Sequence, residues 1–68
     1  MTQVEALELR ATLARLKEEH RDLDAAIVAL EGATVQDRLQ IQRLKKRKLA
    51  IRDQIGRIED MLVPNIIA

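Results

Sequence analysis

Leu9, Leu13, Leu16, His20, Leu23, Ile27 and Leu30 follow one another at alternating intervals of four and three residues. Ile41, Leu44, Lys48, Ile51, Ile55, Ile58 and Leu62 repeat the alternation after a short break. A 3,4 alternation places side chains on one stripe of an α-helix, so the chain predicts two helices with one apolar seam each, in heptad phase. These seams take up most of the large apolar residues. Little is left from which to build a catalytic pocket, so this pattern speaks to architecture far more than to chemistry.

Length sharpens the constraint. Sixty-eight residues make a single domain. So short a chain buries little surface and needs a staple or a partner. There is no cysteine to form a disulfide or a thiolate metal site. No apolar run approaches the ~18 residues of a membrane span, and the N-terminus lacks a basic-then-apolar leader. The expectation is a cytoplasmic protein, bacterial by its compactness, with no membrane association.

Punctuation marks the helix ends. Thr2 with Glu5 reads as a capping box, the hydroxyl accepting from an orphan N–H and the carboxylate answering in reverse. Gly32 suits the residue after a helix, where a left-handed backbone carries no Cβ clash. Thr34 with Asp37 repeats the cap, and Pro64 disfavours helical geometry in the residue before it. The predicted boundaries are helix 1 over 3–31, a turn over 32–34, helix 2 over 35–63 and an apolar tail over 64–68. The tail is expected to fold near Val4 and Leu7; a docking peptide or a protease signal are its other readings. Gly56 costs about 1 kcal/mol in a helix interior, and either admits another helix closely or is a tolerated defect.

So short a break between long amphipathic helices predicts an all-α, antiparallel hairpin. With His20 and Lys48 at position a, flanking residues are expected to face one another as Glu31 with Arg38, Asp24 with Lys45, Arg10 with Glu59 and Glu19 with Arg47. Lys17 with Arg52 is the one mismatch. Such exposed pairs set register more than stability. Two helices leave their flanks open, and Val4, Leu7, Ala11, Ala14, Val28, Val35, Leu39 and Leu49 lie off the seams. Burying a Leu or Val gains ~1.5–3 kcal/mol. Val4, Leu7, Val28, Leu39 and Leu49 are therefore the expected self-association residues, and a homodimeric four-helix bundle is the simplest closed assembly.

Few residues suggest chemistry. His20 is the sole histidine, with no second ligand of metal spacing and no nucleophile beside it. Lys48 interrupts the second seam at nearly the same height. Glu19, or Glu18 of a partner chain, is expected to sit between these two groups. Glu19, His20 and Lys48 then form a polar core layer that sets register, although Lys48 can also snorkel outward. The run from Lys45 to Lys48 distributes its charges around the helix, leaving Arg43, Lys46 and Arg57 as an outward basic surface. Overall charge is balanced, 12 basic against 11 acidic residues, and no aromatic residue is present for base stacking. The reading is a small non-enzymatic interaction or regulatory module, without cofactor or metal, acting on itself and on a protein partner. Weak nucleic-acid binding through phosphate contacts is the alternative.

Two strings carry a resemblance. Leu16, Glu19, His20, Leu23, Asp24 and Ile27 spell L-x-x-E-H-x-x-L-D-x-x-I. Ile41, Leu44, Lys45, Lys46, Arg47, Lys48, Leu49, Asp53 and Ile55 spell I-x-x-L-K-K-R-K-L-x-x-x-D-x-I. Together, from Leu13 to Glu59, they resemble the YdcH family of short bacterial proteins, a domain of unknown function. Ile51 and Arg52 stand where that family often has Leu and Lys. The resemblance implies a two-helix hairpin in a bacterial cytoplasm and a signature set of Glu19, His20, Lys45, Arg47 and Lys48. It implies no catalytic residue, cofactor or partner.

Overall fold

The computed structural model describes residues 1–32 and 34–62, with the backbone alone at Gln36. The expectations for the tail and for the stop at Pro64 lie outside the described residues. Two helices make up the fold: α1, Gln3–Leu30, and α2, Val35–Leu62, each of 28 residues. They run antiparallel, as the cross-helix ion pairs show: Asp24 of α1 meets Lys48 of α2, and Lys17, earlier in α1, meets Glu59, later in α2.

Both helix starts use the Thr caps. The Thr2 hydroxyl accepts from the Glu5 N–H at 3.1 Å and donates to the Glu5 carboxylate at 3.0 Å. The expected return bond to the Thr2 backbone is replaced here by this side-chain contact. At α2 the box is reciprocal. The Thr34 hydroxyl accepts from the Asp37 N–H at 3.4 Å, while Asp37 Oδ2 accepts from the Thr34 N–H at 3.2 Å. Glu31 caps α1, its N–H donating to the Val28 carbonyl. Gly32 then takes φ +87°, a left-handed backbone that favours glycine.

Every residue of the two seams is buried or half-buried. Leu16, Ile51 and Ile58 form the centre of the core, with Leu9, Leu13, Leu23, Ile55 and Leu62 packed against it. The core is thin. Even its deepest member, Ile51, keeps 4% of its surface in solvent. One layer of side chains between two cylinders has no lid on either side. The off-seam apolar residues stay in water: Val4, Leu7, Val28, Leu39 and Leu49 are each 57–66% exposed.

Candidate functional site

The heptad phase decides which groups gather around His20. Residues at a and d fill the interface, those at e flank it on one side and those at g on the other. The structure follows this geometry. Lys17 and Glu59, both at e, pair at 3.5 Å; Glu19 and Arg47, both at g, pair at 3.8 Å. His20 and Lys48, at a, are partly sheltered in the seam, their side chains 27% and 33% exposed.

The carboxylate between them is Asp24. It lies 3.8 Å from His20 Nδ1, and its other oxygen contacts the Lys48 ammonium directly. This corrects the expected role of Glu19. Glu19 precedes His20 and so falls on the g flank, where it engages Arg47 and, at 4.0 Å, Arg15. Asp24 lies one turn after His20 and falls on the e flank. Lys48 reaches toward that flank, its side chain one-third exposed. It reaches Asp24 in place of the expected Lys45. The His20–Asp24 spacing of four residues was the signal in the sequence for this arrangement.

Two further pairings differ from expectation. Glu59 takes Lys17 rather than Arg10, which also removes Lys17 from the mismatch with Arg52. Long side chains cross the interface diagonally, so a lysine two turns further along α1 competes with the expected Arg10. Among the described residues, no ion pair joins Glu31 to Arg38. The electrostatics of the layer centre on Asp24. Its carboxyl is held below the ordinary carboxylate value, first by the hydrogen bond from Lys48 and then by the Lys48 and His20 charges, against an opposing contribution from burial.

This cluster is a polar plug in an apolar seam. The hollow beside it, lined by His20, Arg52, Ile55, Gly56 and Glu59, is a shallow surface depression. Among the described residues, no group of three His, Cys, Asp or Glu side chains is placed to hold a metal ion. No buried side-chain polar atom lacks a partner there. Among the basic candidates, Arg57 is held by Asp53 at 2.9 Å, while Arg43 and Lys46 are exposed and, among the described residues, unpaired. Neither helix is long and apolar enough to cross a membrane.

The family described as "Protein of unknown function (DUF465)" matches residues 13–59. The chain belongs to the DUF465 family. The matched segment runs from Leu13 to Glu59 and so contains the polar layer, the turn and the basic run. Searches among curated proteins and among solved structures each found no match. The DUF465 segment leaves out the first twelve residues, where Val4 and Leu7 extend the exposed apolar row.

Proposed function

We propose that this DUF465 chain is a small, non-enzymatic helical interaction module, YdcH-like in its signature strings, that works by presenting helix surfaces to other helices. One observation carries this reading. The seams already hold the hairpin together, yet Val4, Leu7, Val28, Leu39 and Leu49 remain mostly in water. Exposed apolar rows of this kind on a soluble scaffold favour association. The His20–Asp24–Lys48 layer fits the same role, since a polar layer in an apolar seam penalises shifted registers. Asp53 takes Arg57 out of the outward basic surface, while Arg43, Lys46 and the displaced Lys45 and Arg52 are exposed and, among the described residues, unpaired. The nucleic-acid alternative stands second because the overall charge is balanced and no aromatic residue is present to stack on bases.

Light scattering at low and high protein concentration tests the proposal. A mass that rises from 7.8 kDa with concentration supports it. A stably folded hairpin that remains a single chain at high concentration refutes it.

A further inference from the structure

The exposed back of α1 has a pattern of its own. Val4, Leu7, Ala11, Ala14, Ala25 and Val28 lie on it at heptad spacing, and Glu18 and Arg21 complete the alternation of three and four. All eight residues are exposed. This is a second seam, opposite the one that faces α2, and none of the described residues covers it. The back of α2 differs, because Gln42, Lys46, Asp53 and Asp60 interrupt its apolar positions.

We propose that a second copy of the chain covers this seam. The two α1 helices run antiparallel, about a two-fold axis that passes between Glu18 and Arg21. The inference rests on the reading of the chain as an interaction module and names its partner.

Charge selects both the direction and the register. About this axis Glu18 faces the second copy's Arg21, and by symmetry Arg21 faces its Glu18. Next along the seam, Ala14 meets the second copy's Ala25 and Ala11 meets its Val28. Leu7 then reaches the turn at Gly32. The small residues beside the central ion pairs let the helix axes approach closely. On the flanks, Arg15 faces the second copy's Asp22, Lys17 its Asp24 and Arg10 its Glu31. Every charged pairing is complementary.

The alternatives fail on the same count. A parallel arrangement sets Glu18 against Glu18 and Arg21 against Arg21. Sliding the antiparallel pair by one heptad sets Glu8 against Asp22 in one direction and Asp22 against itself in the other. Of the groups this contact uses, Arg15, Lys17 and Asp24 are already engaged with Glu19, Glu59 and Lys48 in the hairpin, and the second copy's charges add to those pairs. Arg10, Glu18, Arg21, Asp22 and Glu31 take part in no ion pair among the described residues. The proposed contact gives each of them a partner.

Charge reversal followed by sedimentation tests this. Wild type is expected to reach twice 7.8 kDa. Glu18→Arg and Arg21→Glu each place like charges at the axis, and each is expected to weaken association at least about tenfold. The double variant E18R/R21E restores the pairs and is expected to recover wild-type association. Circular dichroism of each variant reports that the helices are intact. The chain has no cysteine among the described residues or elsewhere, which permits a second measurement. When A14C and A25C chains are mixed and oxidised, the 14–25 disulfide is expected to outpace both symmetric ones. Association that survives both single reversals, or symmetric disulfides in excess, overturns this contact and leaves the interaction module standing on another face. A chain that stays single at every concentration overturns both.

Discussion

Replacing Lys48 with leucine sets two effects against each other. The Lys48 side chain is 33% exposed in a seam position, so a leucine there is about two-thirds buried. Full burial of a leucine is worth ~1.5–3 kcal/mol, and part of that is already supplied by the lysine stem. A net gain of about 1 kcal/mol remains for the apolar side chain. Against it stands the loss of the contact with Asp24, whose side chain is 49% exposed. Exposed ion pairs are among the weakest contributors to stability, so burial wins. Lys48→Leu should therefore stabilise the hairpin, raising its melting temperature by roughly 4–8 °C for a domain of this size.

The same substitution removes the penalty on shifted registers. A broadened melting transition, or a wider range of assembled species, should accompany the gain, and His20→Leu should behave alike. Urea unfolding followed by circular dichroism, with sedimentation on the same samples, reads both effects. A fall in stability would refute the burial argument and show that the ammonium does more than span the seam. If both variants were more stable while their cooperativity and assembly matched wild type, the layer would have no register-setting role.

Gly56→Ala should stabilise by about 1 kcal/mol, because a Cβ added there meets nothing within 4 Å. A loss in urea unfolding would instead mean that another helix rests on that glycine. Thr34→Ala removes the reciprocal cap of α2 and should cost about 1 kcal/mol in the same assay. The depressed carboxyl of Asp24 means that the folded chain binds fewer protons than the unfolded chain on acidification. Its contribution is complete above the ordinary aspartate value of ~3.9 and fades as pH falls through the lower folded value. Urea midpoints of Asp24→Asn should accordingly depend less on pH below ~4 than those of wild type. Duplex DNA at about 50 mM salt, the more permissive condition for phosphate contacts, should show no retention in a gel-shift titration. Retention lost on replacing Arg43 and Lys46 would revive the nucleic-acid reading.

The heptad alternation made both helices, their facing stripes and the hairpin legible in advance. Periodicity and capping are local properties. Leu16 and Ile51 are buried because of where they fall within their own helix. Gly32 sits where a helix must end and the chain must turn.

Partner choice across the interface was less legible. Sequence matched Asp24 to Lys45 and Glu59 to Arg10 by height alone. In the folded hairpin Lys48 and Lys17 take those carboxylates, because flexible stems reach diagonally and compete across one to two helical turns. Glu19 was expected beside His20 and lies on the other flank, where Arg47 draws it away from the layer. The sequence by itself determined the stripe on which each residue lies, since that depends only on 3.6 residues per turn. Tertiary structure decided which charge answers which, since that depends on how two helices settle against each other and on which long side chain arrives first.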